Sequence, residues 1–481
     1  MHMNRRKKLG WFVLGAVAVL LIEAAGVGVI LSSGDKRPDA PPEQQPVAMP
    51  WGALDPSQWQ ASGSSSSPDD SETTPSQGPL PDLVALIRAR LEGHLDTDRE
   101  RVRLPWPPSL PADADSPPAL GFLPSIMQSI LDEAPHAFDP DRDGVRTYNL
   151  LALSGGGAKG AFGAGLLSGW SASGQRPTFK VVTGVSTGSL QATQAFLGSD
   201  YDPMLREIFT AYTSDDIYTR RQAVTGLVSD SLYDSAPLRR LIAKYMTQDE
   251  LEHVAAEHAK GRRLFIGTMN MDTNQFVIWD MGKIASSGRP DALQRYRDVL
   301  LASCSTQVFL PPVYFPVEAG GKTYYEMHGD GATYAQAFFR GFLLDFEDTL
   351  KQVGLTKSKA QANLYIIING EVGRSESRTA LEPRTLSIAA ATIQHLLRMR
   401  VNSSLYRMYV LTHRYGFDFN MAAIPQGYEP AVTILDFDPV KMKQLFDTGY
   451  NLAANGYDWM KAPPHLDPDE IFATSTAPEP K

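Results

Sequence analysis

The chain reads YNLLALSGGGAKG over residues 148–160 and KVVTGVSTGSL over residues 180–190. In each stretch an apolar run typical of a buried strand leads directly into glycines. A helical pattern follows each of them, to about Trp170 and to Leu197. Two successive strand–turn–helix units predict a parallel sheet with helices packed against it.

Strands and helices continue to alternate in the rest of the chain. This order predicts a three-layer α/β/α fold with a mostly parallel central sheet. Further strands are predicted at Arg263–Met269, Phe276–Trp279, Leu364–Ile368 and Val432–Phe437, and further helices at Pro237–Met246, Ala292–Ala302, Leu386–Tyr415 and Val440–Trp459.

A G-x-S-x-G pattern, formed by Gly184, Ser186 and Gly188, lies between the second strand and its helix. In this position the pattern is typical of a nucleophile elbow, in which glycines permit a cramped turn that presents the serine hydroxyl at the carboxyl end of the strand. The context therefore favours Ser186 as a nucleophile over an ordinary tight turn.

The glycine-rich stretch after the first strand, with Gly155, Gly157 and Gly160, also fits the G-x-G-x-x-G pattern of dinucleotide-binding folds. Such a site needs an acidic residue about 20 residues further on, and no Asp or Glu occurs between Asp143 and Asp200. The pattern then indicates backbone amides at a helix N-terminus that can hold an anion or oxyanion. Close packing of helix on strand is the alternative.

A serine nucleophile needs a base that accepts its proton. Asp330 is favoured, because glycines on both sides let the chain turn and direct the carboxylate into a cleft. An ordinary Asp-Gly turn is the alternative. The histidine candidates, none of which has a distinctive neighbourhood, are His328, His395, His413 and His465.

The blocks at 155–160, 184–188 and 330–332 resemble, in this order, the three signature blocks of the patatin-like phospholipase family. The resemblance extends over about residues 148–459 and implies a lipid acyl hydrolase, a phospholipase A-like or lysophospholipase-like esterase without cofactor or metal. It implies Ser186 as nucleophile and Asp330 as base. The implied oxyanion hole consists of the amides of Gly155, Gly156 and Gly157, and the motifs are completed by Lys159, Gly160, Gly184, Gly188, Gly331 and Ala332.

Two other functions stay open at this point. A membrane-tethered lipid-binding protein without catalysis is disfavoured by the intact Ser186 and Asp330, and a nucleotide-binding enzyme is disfavoured by the missing ribose-binding acid. Lys159 has two interpretations, as a group that attracts a lipid phosphate or as an ordinary surface lysine.

The amino-terminal residues predict a membrane segment. Four basic residues, Arg5–Lys8, precede an apolar run from Leu9 to Leu31 that is interrupted by Glu23. This length approaches the ~20 residues that span a bilayer. Residues 1–33 are therefore predicted to be a signal anchor, with a cleaved signal peptide as the second choice. In both cases the catalytic domain is expected to be exported, in a periplasmic or other extracytoplasmic location.

The remaining organisation follows from composition. Residues 34–82, rich in Pro and Ser, predict a disordered tether, and residues 83–147 predict a helical and Pro-rich lead-in with a short helix near its end. The catalytic domain is predicted at 148–462, with a flexible tail at 463–481. Residues 139–144 copy half of a calcium loop, but Leu150 stands where a carboxylate is needed, so an acidic turn is favoured.

Charge and cysteine content exclude several classes of protein. The 481 residues carry a net charge of −9, which argues against a nucleic-acid partner because such binding needs clustered Lys and Arg. The single cysteine, Cys304, excludes an internal disulfide and a cysteine-based zinc site. It is predicted to be a small buried hydrophobic residue.

Overall fold

A computed structural model describes residues 38–40, 125–126, 128–129, 132–133, 146–221, 229–319, 321–339, 360–373, 399–413, 416–428, 432–464 and 466. The predicted signal anchor or signal peptide, most of the predicted tether, the acidic turn at 139–144 and nearly all of the predicted tail lie outside these residues. Within the described ranges, no helix is both long enough and apolar enough to cross a membrane.

Ten strands are present in the described residues, eight of them in one central sheet. In chain order they are β1 (Arg146–Leu153), β2 (Phe179–Val185), β3 (Thr219–Arg220), β4 (Tyr233–Asp234), β5 (Arg263–Asn270), β6 (Gln275–Asp280), β7 (Val313–Ala319), β8 (Lys322–Asp330), β9 (Ala360–Glu371) and β10 (Asp418–Ile424).

The strand order in the central sheet is β10-β9-β1-β2-β5-β8-β7, with β6 also paired to β5. Strands β10, β9, β1, β2 and β5 run parallel to one another, whereas β6, β7 and β8 pair in antiparallel fashion. The predicted mostly parallel sheet is therefore confirmed. Strands β3 and β4 form a separate two-stranded ribbon.

Strands β2 and β8 meet end to end along the same side of β5. The last residue of β2, Val185, pairs with Gly267 of β5, and the last residue of β8, Asp330, pairs with the adjacent Thr268. The other side of β5 is occupied by β6 over both positions. Because β8 runs antiparallel to β5, the carboxyl ends of β2 and β8 face each other. This topology brings the residues that follow β2 close to the end of β8.

Helices cover both faces of the sheet, as predicted. The helices are α1 (Gly160–Ala172), α2 (Thr187–Leu197), α3 (Asp202–Thr210), α4 (Ser214–Ile217), α5 (Ala236–Tyr245), α6 (Gln248–Ala259), α7 (Met281–Ala285), α8 (Ala292–Cys304) and α9 (Pro439–Ala453), and a further helical stretch covers 399–413.

Alternate residues of the strands contribute to two hydrophobic cores. Leu151 and Leu153 of β1 pack with α1, α2, α3, α5, α6, α8 and α9 on one face of the sheet. Leu150 and Ala152 pack with the 399–413 helix and with residues 335–339 on the other face. This alternation follows the two-residue period of a strand and buries β1 on both faces.

The predicted elements up to residue 304 lie within about two residues of elements in the structure, but α3, α6, α7 and β7 have no counterpart among the predicted elements. The predicted helix 440–459 ends at Ala453, and the predicted helix 386–415 is described over 399–413. Residues 432–437, predicted as a strand, form a loop. The carbonyl oxygen of Ile434 accepts from the amide of Ala158, and that of Leu435 accepts from the Tyr218 hydroxyl, so these groups are not paired with a strand. The strand at this edge is β10 instead, which the sequence analysis missed together with α6.

Part of the predicted lead-in packs against the amino ends of the parallel strands. Lys180 Nζ at the start of β2 donates to Glu133 Oε1 at 2.7 Å, and Arg263 Nη2 at the start of β5 donates to Asp132 Oδ2 at 2.8 Å. The side chains of Lys180 and Arg263 are 4% and 1% exposed. These pairs hold Asp132 and Glu133 against the sheet.

Asp39, in the predicted tether, also contacts the central sheet. The carbonyl oxygen of Asp39 accepts a hydrogen bond from the backbone amide of Tyr325 in β8 at 2.9 Å. Residues 38–40 are the described part of the stretch 34–82.

Candidate active site

Ser186 occupies a strained turn at the end of β2. Its φ of 53° and ψ of −130° lie outside the regions that non-glycine residues ordinarily adopt. The backbone amide donates to Ser303 Oγ at 2.9 Å, and Ser303 Oγ donates in turn to the Gly267 carbonyl at 2.8 Å. Ser303 is fully buried. A side chain from α8 therefore fixes the turn that presents the Ser186 hydroxyl.

Gly188 is required where the first turn of α2 crosses the end of β1. A Cβ atom at this position would lie 2.4 Å from the Leu153 carbonyl oxygen and 2.6 Å from that of Ser154. These contacts are with backbone atoms, which cannot move aside locally. The G-x-S-x-G pattern thus allows α2 to pack directly beside the glycine-rich loop.

Asp330, at the end of β8, meets Ser186 across the junction of the two strands. Ser186 Oγ donates to Asp330 Oδ2 at 2.7 Å. The same oxygen accepts from Thr306 Oγ1 at 3.0 Å, and Oδ1 accepts from the Ala332 amide at 2.8 Å. The structure thus brings together the two residues that the sequence separates by 144 positions.

Burial raises the pKa of Asp330 to about 6, against hydrogen bonds from Ser186, Ala332 and Thr306 that lower it. The side chain is almost completely enclosed, at 3% exposed. A carboxylate with a pKa near 6 is ionised at neutral pH and is a stronger base than an ordinary Asp. The environment therefore adjusts Asp330 toward proton transfer at neutral pH.

The glycine-rich loop lies against this pair, but its three amides are not equivalent. The Gly155 amide donates to the Gln336 carbonyl oxygen at 3.0 Å, which corrects the expectation that Gly155 contributes to an oxyanion hole. Among the described residues, the amides of Gly156 and Gly157 have no hydrogen-bond partner. Gly157 has a φ of +57°, a conformation that favours glycine.

A buried polar network that sequence reasoning missed holds the loop in place. Asn369, near the end of β9, donates from Nδ2 to the Ser154 carbonyl at 2.8 Å and accepts at Oδ1 from the Gly163 amide at 3.1 Å. Gln191 of α2 donates to the Gly160 carbonyl at 2.6 Å and also bonds to Asn369. The network ties both ends of the loop to the helix that follows Ser186.

The other motif residues lie in the turns around the pair. Gly184 is in β2, Gly160 begins α1, and Gly331 and Ala332 form the 3-10 turn after Asp330. Lys159 is half-buried at the end of the 3-10 turn Gly157–Lys159.

The described histidine candidates do not contact Ser186. His328 is completely buried, and its Nδ1 lies 3.0 Å from Thr268 Oγ1. Burial lowers the pKa of His328, which favours the neutral ring. His413 is exposed on the 399–413 helix. His395 and His465 lie outside the described residues.

Cys304, predicted to be a small buried hydrophobic residue, lies next to Ser186. It is half-buried at the end of α8, and its Sγ donates to the Ser186 carbonyl oxygen at 3.3 Å. Burial raises the pKa of the thiol well above its usual range, and the Asp330 charge adds to this effect. Cys304 is therefore protonated at neutral pH and is a poor nucleophile.

Part of the chain matches a known protein family. Residues 151–343 match the family model described as patatin-like phospholipase. The chain therefore contains a patatin-like phospholipase domain. The description of this family model names phospholipases, which are lipid acyl hydrolases. The matched range includes both Ser186 and Asp330.

Similarity outside the family model is weak. The crystal structure of VipD from Legionella pneumophila is similar to the chain at 11% sequence identity, over 64% of this chain and 66% of that one, with a TM-score of 0.26. The chain thus spans just under two thirds of that structure, and a likeness of this size carries no argument. No curated protein matches the chain.

An apolar pocket of about 110 Å³ reaches Ser186. It extends along α2 from Ser186 to Gln194, a distance of about 12 Å at the rise of an α-helix. Gly157 and Thr306 also line it. The apolar wall comes from α2, α3, α5, α8 and the loops around residue 310 and at 434–437. Its side chains include Leu190, Ile208, Phe209, Leu238, Leu241, Ile242, Leu300, Leu310, Ile434, Leu435 and Phe437.

Proposed function

We propose that the protein is a serine-dependent lipid acyl hydrolase, a phospholipase A-like or lysophospholipase-like esterase with a Ser186–Asp330 dyad. The observation that carries the proposal is the 2.7 Å hydrogen bond from Ser186 Oγ to Asp330 Oδ2 in a buried site that opens on an apolar pocket. The expected substrates are lipids or phospholipids.

In the acylation step Ser186 Oγ forms a bond to the ester carbonyl carbon while its proton moves to Asp330 Oδ2. The proton is then transferred to the departing alcohol, and an acyl-enzyme remains. Water attacks this acyl-enzyme with Asp330 again as the base, and the proton returns to Ser186 as the fatty acid leaves. The pKa near 6 lets the carboxylate both accept and release the proton at neutral pH.

Negative charge develops on the carbonyl oxygen during both steps, and preorganised donors stabilise it. The amides of Gly156 and Gly157 are suited to this role, because their N–H groups are not used within the described structure and Gly157 lines the pocket beside Ser186. Replacement of Gly156 by alanine does not test the role, since the added Cβ would lie 2.2 Å from the Asn369 carbonyl oxygen and disturb the fold.

The apolar pocket is the proposed site for the acyl chain. Leu238, Leu241 and Ile242 of α5 line it together with residues of α2, and burial of a hydrocarbon chain there is favourable by about 0.8 kcal/mol per methylene. We expect Leu238→Trp to lower kcat/KM for long-chain esters at least tenfold while acetate esters are cleaved nearly as fast as by the wild type. Equal losses on both esters would contradict an acyl-chain pocket.

Covalent labelling with a fluorophosphonate tests the function directly. We expect the probe to modify the wild-type protein at Ser186 and to block hydrolysis of phospholipid and lysophospholipid substrates. Ser186→Ala should lose both labelling and hydrolysis. Ser168→Ala is the matched control, because Ser168 is as buried as Ser186, at 8% exposed, but bonds only to its own helix.

A protein that binds lipid without catalysis would fail the same test in a recognisable way. It would bind vesicles but leave Ser186 unlabelled and release no fatty acid. Micromolar binding of ATP or NAD, abolished by changes in the glycine-rich loop, would instead indicate a nucleotide site.

We also propose that residues 1–33 anchor the protein in a membrane, with the catalytic domain exported. The support is the Arg5–Lys8 cluster before the apolar run at 9–31. Protease added to intact spheroplasts should digest the catalytic domain, and the domain should stay with the membrane fraction. Protection until lysis would place it in the cytoplasm, and release without lysis would indicate cleavage of a signal peptide.

A further inference from the structure

The carboxylate of Asp330 has a second hydroxyl donor besides Ser186. Thr306 Oγ1 lies 3.0 Å from Oδ2, the same oxygen that accepts the Ser186 hydroxyl at 2.7 Å. The other oxygen, Oδ1, is occupied by the Ala332 amide. Thr306 therefore bonds to the oxygen to which the Ser186 proton moves in the proposed reaction, and it also lines the pocket.

Within the part of the chain that the structure describes, no charged side chain supports this carboxylate. The pKa of Asp330 is affected by burial and by hydrogen bonds from Ser186, Ala332 and Thr306. Cys304, on α8, is held protonated by burial and by the Asp330 charge, and His328, on β8 two residues before Asp330, is buried with its pKa lowered. Cys304 and His328 are thus uncharged at neutral pH, and the donors to the carboxylate are two hydroxyls and one amide.

The turn that presents Thr306 is fixed and strained. The carbonyl of Thr306 accepts from the amides of Phe309 and Leu310, and the carbonyl of Ser305 accepts from the Asp330 amide at 2.8 Å. Val308, a β-branched residue, has a φ of 72° and is 65% exposed. Such a conformation costs of order 1–3 kcal/mol and is found mainly where the surrounding structure requires it, often at functional sites.

We propose that Thr306 is a positioning residue for the reaction, whose hydroxyl holds Oδ2 of Asp330 toward Ser186 and favours the ionised carboxylate. The inference rests on the proposed role of Asp330 as base. Without the hydroxyl, Oδ2 keeps only the Ser186 donor among the described residues, so the carboxyl group is held less firmly about its Cβ–Cγ bond and its charge has one fewer donor. The first effect weakens proton transfer and the second lowers the ionised fraction of the carboxylate at acidic pH, whereas binding of the acyl chain in the pocket stays intact.

The test compares Thr306→Val, Thr306→Ser and Thr333→Val. Valine keeps the shape of threonine and removes the hydroxyl, and serine keeps the hydroxyl. Thr333→Val is the matched control, since Thr333 is also half-buried but donates to the main-chain oxygen of Asp330, at 2.9 Å, and not to the carboxylate. The measurement is kcat and KM for a short soluble ester from pH 4.5 to pH 9.

Removal of a donor to the charged form raises a carboxyl pKa. In Thr306→Val we expect the acidic midpoint of the kcat/KM profile to move to higher pH by about 0.5–1 unit. Above this midpoint we expect kcat to be about tenfold lower with little change in KM. Thr306→Ser should restore the wild-type midpoint, and Thr333→Val should leave it unchanged.

An unshifted midpoint with wild-type kcat in Thr306→Val would overturn the proposal, as would a Thr306→Ser variant that behaves like Thr306→Val. If Thr306→Val does not fold, Thr306→Ala and Thr306→Ser provide the same comparison. The variant Asp330→Asn separates this proposal from the one on which it depends. Full activity of Asp330→Asn would show that Asp330 is not the base. An inactive Asp330→Asn together with an unshifted midpoint in Thr306→Val would show only that Thr306 is not a positioning residue.

Discussion

The two ends of the parallel strands bury charge in opposite ways. At the amino ends, Lys180 and Arg263 are each paired with a carboxylate of the segment 125–133. At the carboxyl ends, Asp330 is equally buried, but its partners are the hydroxyls of Ser186 and Thr306 and one backbone amide. One end neutralises its charges with opposite charges, and at the other end the donors among the described residues are all neutral.

The difference shows what each end is suited to do. A salt bridge joins two side chains directly and so holds a segment in place. A buried carboxylate without a cation has a raised pKa and can change its protonation state near neutral pH. Chemistry is therefore expected at the carboxyl end and docking of the lead-in segment at the amino end, and this separation can be tested by single substitutions.

The largest effect is expected from Asp330→Asn at the carboxyl end. Asparagine preserves the size of the side chain but cannot accept the serine proton, so hydrolysis should fall by roughly 10⁴-fold or more. Addition of Ser186→Ala should cause little further loss, because the two residues act as one unit. The measurement is kcat/KM on a soluble ester, and nearly additive losses would argue that the residues act separately.

At the amino end, Glu133→Ala should reduce stability and leave catalysis intact. It leaves Lys180, whose pKa burial already lowers to about 8, without its carboxylate partner. Loss of one partner of a buried pair costs about 3–5 kcal/mol in the free energy of unfolding. Denaturant unfolding measures this cost, and kcat of the folded variant should stay within about twofold of the wild type.

Glu207→Ala is the matched control for that variant. Glu207 also pairs with a lysine, Lys244, at 2.8 Å, but both side chains are about half exposed. The exposed pair should contribute less than about 1 kcal/mol. Equal losses of stability in the two variants would mean that the amino end is not a specially buried docking site.

A smaller effect, of opposite sign, is expected for the stability of Asp330→Asn. The folded pKa of Asp330 is about 6, above the ordinary value of 3.8. The wild-type carboxyl therefore destabilises the fold progressively as the pH rises from about 4 to 6, by up to about 3 kcal/mol above pH 6. The amide side chain of the variant does not titrate and has no such dependence. The unfolding free energy of the variant minus that of the wild type should therefore be larger at pH 8 than at pH 4. A pH-independent difference would contradict the raised pKa.

The sequence predicted the central features of this site because they are local. Strand–glycine–helix order identified the loop at 155–157 and the elbow around Ser186, and the glycines around Asp330 indicated a turn. Which loop amides are available was not predictable, because the amide of Gly155 is taken by the carbonyl of Gln336, a partner far away in the chain. The same is true of Asn369, which bonds to Ser154 across 215 positions.

The errors in the predicted secondary structure also have physical reasons. Residues 432–437 are mostly apolar, as in a buried strand, but Ile434, Leu435 and Phe437 line the pocket and the carbonyls of 434 and 435 bond to Ala158 and Tyr218. Strand β10 has small residues, Ala422 and Ala423, that carry little strand signal, yet it pairs with β9 at the sheet edge. A partner segment at the amino end could have been predicted, since charged residues such as Lys180 within buried strands need partners.

The rate of fluorophosphonate labelling of Ser186 as a function of pH tests the central claim, that Asp330 without histidine activates the serine. In the wild type the rate should be lost as the pH falls through a midpoint near 6, because the base must be ionised. In Asp330→Asn the rate should be lower by about 10³-fold or more and should show no ionisation in this range. Rapid labelling of Asp330→Asn at Ser186 with an unchanged midpoint would contradict the account and point to a histidine as the base.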